Sequence, residues 1–100
     1  MATKLLMRWD IRPNREAEYS EFVANEFIPR LNRLGIVEIQ AWYTVYGETE
    51  QILVSGITQT GEQMRYILAS DEWGRLRNQL DELVDNFDSK VVPATAGFQL

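Results

Sequence analysis

The stretch Lys4-Leu5-Leu6-Met7-Arg8-Trp9-Asp10-Ile11-Arg12 decides the fold. Its side chains alternate, with Leu5, Met7, Trp9 and Ile11 on one side and Leu6, Arg8, Asp10 and Arg12 on the other, which is the period of a strand. The first side is wholly apolar and requires a cover of helices. The second mixes charge with apolar bulk in a way that suits neither bulk water nor a dry core, so function is expected there.

Working outward, Pro13 ends the strand and Asn14 is the expected N-cap of a helix running from about Arg15 to Leu34. Tyr19, Phe22, Val23, Phe27, Leu31 and Leu34 recur at three- and four-residue steps and form a stripe that can lie on the Leu5/Met7/Trp9/Ile11 side. Pro29 lacks an amide hydrogen and should bend this helix between Asn25 and Ile28. Gly35 suits the C-cap, and Ile36 to Tyr46 reads as a second strand. There Val37, Ile39, Ala41, Tyr43 and Val45 alternate with Glu38, Gln40, Trp42, Thr44 and Tyr46. Gly47 opens a short polar turn to Glu50, and Gln51 to Thr58 completes a hairpin in which Gly56 marks a bulge or a close backbone approach.

Thr60-Gly61-Glu62-Gln63 has the spacing of a capping box, opening a short helix through Ala69 with Met64, Ile67 and Leu68 inward. Ser70 caps a longer helix, expected to reach Asp88, with Trp73, Leu76, Leu80, Leu83, Val84 and Phe87 as its buried stripe. The pattern leaves open whether these are two helices or one bent helix. Lys90 to Gln99 reads as a fourth strand, and Pro93 within it indicates an edge or a bulge. The order βαββαβ predicts a single α+β domain over residues 1–100 with a ferredoxin-like architecture. Its four-stranded antiparallel sheet carries the helices on one face, with the first and third strands central.

Composition narrows the chemistry. A chain of 100 residues buries a modest share of its surface, so pairing with a second copy would add to its core. The net charge of −5 argues against a nucleic-acid partner. Cysteine and histidine are both absent, which removes thiolate and imidazole metal sites and the Ser-His and Cys-His nucleophile pairs. Asp, Glu, Tyr, Lys and Arg remain for acid, base or binding work. Arg8 and Asp10 arrive too early for a signal-peptide core and no apolar run approaches a bilayer span, so a cytoplasmic protein with no membrane partner is expected.

Ile11-Arg12-Pro13-Asn14-Arg15-Glu16-Ala17-Glu18-Tyr19, the hairpin segment Ala41-Trp42-Tyr43, and Leu68-Ala69-Ser70-Asp71-Glu72-Trp73 together resemble the dimeric α/β-barrel superfamily. That superfamily includes NIPSNAP-like and antibiotic-biosynthesis-monooxygenase-like domains. The resemblance implies two sheets packed face to face in a closed barrel, with a pocket inside the barrel or between helices and sheet. Its oxygenase and haem-degrading members rely on histidine, asparagine and tryptophan. This chain carries Asn25, Trp9, Trp42 and Trp73 but no histidine, so haem ligation is not implied.

The candidate ligand-binding residues are Arg8, Asp10, Gln40 and Trp42 on the mixed side, with Asn25 a contributor from the first helix. Arg8 can fork onto a carboxylate or polarised carbonyl, Asp10 can orient it or accept a proton, and Trp42 can stack on a ring. Asp10 and Glu26 are the candidate proton acceptors. Trp9 and Trp73 read as core. Leu6, Trp42, Tyr46, Leu53 and Ile57 would share a face that a second copy can cover. Three readings stand: a homodimer that binds a small, partly apolar organic ligand without a cofactor or metal, a cofactor-independent monooxygenase or isomerase using the same pocket, and a structural or interaction domain. In the last, Arg8 and Asp10 pair across the dimer and set its register.

Overall fold

The computed structural model describes residues 1–46 and 49–96. Strand β1 (Thr3–Ile11) leads through Asn14 into α1 (Glu16–Phe22), a π-helical turn (Val23–Phe27) and α2 (Ile28–Leu34). The hairpin β2 (Val37–Tyr46) and β3 (Thr49–Thr58) precedes α3 (Gly61–Leu68), α4 (Asp71–Asp81) and β4 (Val84–Pro93). The antiparallel sheet has the order β2-β3-β1-β4, so β1 and β3 are central and β4, with its terminal Pro93, is an edge. Gly47, Glu48 and the Gly97-to-Gln99 end expected of the last strand lie outside the described residues.

The apolar side of β1 is core. Leu5, Met7 and Trp9 are buried with Tyr19, Phe27 and Leu31 of the first helical segment and Trp73, Leu76 and Leu80 of α4. Trp9 is the centre of an aromatic cluster: its ring stacks on Phe87 at 5.9 Å and 8°, meets Phe27 edge-on at 5.8 Å, and its Nε1–H donates to the Tyr19 hydroxyl at 3.0 Å. Burial raises the Tyr19 pKa from 10.0 to about 12, and the bond from Trp9 only partly opposes that. Arg30 ties the helices together, reaching Glu72 at 2.9 Å and Gln79 at 2.8 Å across to α4. Glu72 is held below the usual carboxylate range by Arg30 first and Arg75 second.

Several local expectations hold for the expected reasons. Gly35 closes α2 in the left-handed conformation at φ 114°. Thr60 accepts from the Gln63 amide, and Ser70 from that of Trp73, so two capped helices meet at Ala69–Ser70. The strain expected from Pro29 is absorbed one turn earlier, by widening Val23–Phe27 into a π turn. At Gly56 a Cβ would overlap Ile36 Cγ2, so the glycine is the close approach that its place in a strand suggested.

Four local expectations are corrected. Asn14 does not cap the first helix: it turns the chain at φ 69°, and Arg15 occupies the cap position without a side-chain bond. The second strand does not alternate from its first residue. Glu38 takes φ 52° at a register shift between Val37 and Gln40, which puts Val37 opposite Ile57 on the side away from the helices. Ala41, Tyr43 and Val45 keep the helix side of the sheet, yet they are exposed.

The last helix and last strand divide elsewhere. Helix α4 ends at Asp81, and β4 starts at Val84 where a helix to Asp88 was expected. A bulge explains the misreading. Arg8 pairs with Asp88 but Asp10 with Asp85, so Asn86 and Phe87 together stand opposite Trp9, and Asn86 takes φ 58°. The extra residue sets Val84 and Phe87 three apart on one face, which is helical spacing inside a strand.

Candidate functional site

The side of the sheet away from the helices is built in rows across the strands. Trp42, Leu53, Arg8 and Asp88 are register partners in one row; Gln40, Ser55, Leu6 and Lys90 form the next. No α-helix among the described residues lies over this face. Leu6 and Ser55 are nevertheless buried at its middle, while Leu53 and Ile57 are half-buried and Trp42 keeps 40% of its surface exposed. Lys4, Glu38, Ile39, Gln40, Ser55 and Ile57 line a hollow of about 400 Å³ beside the Trp42 row.

Arg8 and Asp10 do not bond to each other, as their two-residue spacing allowed. The Arg8 guanidinium reaches Asp88 at 3.5 Å, a long and exposed contact that holds it weakly. Asp10 accepts from the Asn86 amide at 2.8 Å. Its register partner is another carboxylate, Asp85, a pairing that costs energy unless a cation or donor intervenes. Arg12 supplies the cation for Asp85 at 3.2 Å and also donates to the backbone carbonyls of Asp81 and Val84, so it fastens the entry of β4.

Asn25 and Glu26 lie elsewhere. They line an open cleft of about 410 Å³ in the helical layer with Arg15, Glu18, Glu21, Phe22, Gln79, Glu82 and Leu83. Glu26 is half exposed and 3.4 Å from Arg30, a partner one helical turn away. The structure therefore brings Arg8, Asp10, Gln40 and Trp42 to one face of the sheet and leaves Asn25 and Glu26 on the opposite side of the molecule. Among the described residues no group of carboxylates is arranged to hold a metal ion, and no helix is long and apolar enough to cross a membrane.

Sequence reading missed Lys4, Glu38 and Ser55 in the hollow and Asn86 and Asp88 on β4. Lys4 was legible, since it shares the parity of Leu6 and Arg8. The β4 residues were not, because the bulge disguises their strand as helix.

Comparison with known proteins places this geometry in a broad structural group. No family model matches the chain, and no curated protein sequence matches it either. Solved structures do match. The cofactor-independent oxygenase SnoaB of Streptomyces nogalater superimposes with a TM-score of 0.74 at 14% identity, over 93% of this chain and 92% of that one. A NIPSNAP family protein of Agrobacterium tumefaciens matches with a TM-score of 0.61 at 14% identity, over 97% and 96% of the two chains. A dimeric protein of ferredoxin-like fold from Bacteroides fragilis gives 0.64 at 16% identity, over 92% and 95%. At these identities the likeness is one of fold, and it covers nearly the whole of each chain. The resemblance read from the sequence thus holds at that level: the chain has the ferredoxin-like βαββαβ fold of the antibiotic-biosynthesis-monooxygenase-like and NIPSNAP-like proteins.

Proposed function

We propose that the chain is a homodimer joined through the helix-free faces of its sheets, and that this face binds a small aromatic molecule bearing a carboxylate or carbonyl, without a cofactor. The observation that carries the reading is the row Trp42, Leu53, Arg8, which sets a half-exposed ring, an aliphatic floor and a loosely held guanidinium in direct register beside a hollow of about 400 Å³. A ring stacks on Trp42 over Leu53, Arg8 exchanges its 3.5 Å contact with Asp88 for a forked bond to the ligand, and Gln40 contributes an amide from the hollow's edge. Two copies covering each other would bury on the order of 2,000 Å² in total, the size of an obligate pair. The net charge of −5 is in keeping with a small-molecule partner in place of nucleic acid.

The test is titration of the chain with 2-naphthoate, followed by tryptophan fluorescence, with light scattering to give the mass. The expected result is a dimer mass, saturable quenching, and loss of binding in Arg8→Ala and Trp42→Ala with the dimer kept. A monomer at micromolar concentration removes the dimer, and unchanged fluorescence removes the ligand. If Arg8→Ala and Asp10→Ala dissociate the dimer and the parent shows no quenching to lose, the face is an interface only. A second reading, oxygenation or isomerisation of a phenolic ligand with Asp10 as proton acceptor, draws on the likeness to the cofactor-independent oxygenase SnoaB. Oxygen uptake on adding a polycyclic phenol separates it from binding alone.

A further inference from the structure

The bulge in β4 has one residue on each side of the sheet. Opposite Trp9, Phe87 turns toward the helices and stacks on the indole at 5.9 Å, and Arg77 covers its other neighbourhood at 3.5 Å from the ring centroid. Asn86, the residue before it, turns the other way, and its Nδ2–H donates to Asp10 Oδ2 at 2.8 Å. Regular pairing would leave one residue opposite Trp9, and a single side chain cannot face both sides of a sheet. The two-for-one bulge lets the strand fill the core and reach the carboxylate at once. Asn86 pays the conformational cost at φ 58°, a region that asparagine tolerates better than most residues.

We propose that Asn86 is a positioning residue for Asp10, and that the ligand therefore carries a hydrogen-bond donor, a phenolic or alcoholic hydroxyl, at the Asp10 end. This rests on the ligand-binding reading of the same face. The amide occupies Oδ2, and the Asp10 carboxylate accepts no other hydrogen bond among the described residues, so Oδ1 is the oxygen left to accept. Arg8, two residues along the same strand face, starts about 7 Å away and takes an acceptor. The pair thus reads an aromatic with a carboxylate or carbonyl at one end and a hydroxyl at the other. Asp85, the carboxylate opposite Asp10, is engaged by Arg12, which leaves the hydroxyl to Asp10.

The experiment compares 6-hydroxy-2-naphthoate with 6-methoxy-2-naphthoate on the parent, on Asn86→Gly and on Asn86→Asp. Glycine keeps the left-handed backbone and removes the amide; aspartate keeps the size and replaces the donor with an acceptor. The parent is expected to favour the hydroxy probe at least about tenfold, the scale of one hydrogen bond to a charged group. Asn86→Gly is expected to bind the methoxy probe as the parent does and to lose the preference; Asn86→Asp, which sets a second carboxylate against Asp10, is expected to lose the preference and to weaken both anionic probes. In parallel, side-chain couplings of Asp10 should report one rotamer in the parent and averaging in Asn86→Gly. A parent that binds both probes equally, or variants that keep the preference with Asp10 in one rotamer, overturns the assignment of Asn86 and leaves the binding reading intact. A parent that binds neither probe nor 2-naphthoate overturns the binding reading, and the inference with it.

Discussion

Trp9 and its chain neighbours Arg8 and Asp10 occupy consecutive positions of one strand, and their surroundings differ as much as any in the molecule. Trp9 is 1% exposed, touches three aromatic rings and has its one polar hydrogen bonded inside the core. Arg8 is exposed, with a single 3.5 Å partner across the strand. The helix side is determined many times over, so each contact there supports the others. On the far side the Arg8 and Asp10 side chains each show one contact among the described residues, which a ligand or a second subunit can replace, as a binding surface needs.

The strongest way to test this contrast is Trp9→Ala. It empties the centre of the aromatic cluster and should lower stability by roughly 3 to 5 kcal/mol, read from urea unfolding followed by circular dichroism. A variant that melted like its parent would mean that the two sides of β1 are reversed.

Tyr19 sharpens the same comparison through pH. Its pKa is raised from 10.0 to about 12, so between those values the unfolded chain releases the tyrosine proton while the folded chain keeps it. With fewer protons bound in the unfolded state, stability falls as pH rises through that window, by roughly 2 to 3 kcal/mol. Below pH 10 this group contributes no slope. Tyr19→Phe should reduce the alkaline loss by about 2 kcal/mol between pH 8 and pH 11.5, the part of the window below the folded pKa, measured from the urea midpoints at the two pH values; an identical slope in both proteins would mean that Tyr19 is solvated.

Asn86→Ala probes the residue that joins the two regions. A Cβ with no polar side chain at φ 58° should cost about 1 kcal/mol, and Asn86→Gly close to none, because the backbone is the same and only the residue's tolerance of it differs. Equal losses in the two variants would show that the amide bond, not the backbone, carries the stability. Arg8→Ala should be the mildest, changing chain stability by no more than about 0.5 kcal/mol while abolishing 2-naphthoate binding. A large destabilisation there would make Arg8 part of the scaffold.

How much was legible follows the same division. Tyr19, Phe27, Leu31, Trp73, Leu76 and Leu80 could be assigned to the core because helix packing depends on a repeat within one segment, and the segment displays it. Arg8, Gln40 and Trp42 could be assigned to a shared face because strand alternation is equally local. Asn25 was drawn to the same site by its position at the bend expected before Pro29, but the helical layer covers one face of the sheet and the other candidates point from the opposite one.

The sequence by itself determined the order of the elements, the central place of β1 and the two sides of that strand, since capping, alternation and helical repeat are displayed by residues near one another in the chain; at Gly56 it left a bulge and a close approach open, and the contact with Ile36 decided between them. Only the tertiary structure decided the partners of Arg8 and Asp10, the exposure of Tyr43 and Val45, and the start of β4. A bulge is defined by the strand it pairs with: two residues, Asn86 and Phe87, are counted against one, Trp9, which lies 77 positions before Asn86. Read along β4 alone, Val84 and Phe87 show the spacing of a helix, and the pairing with β1 is what makes them a strand.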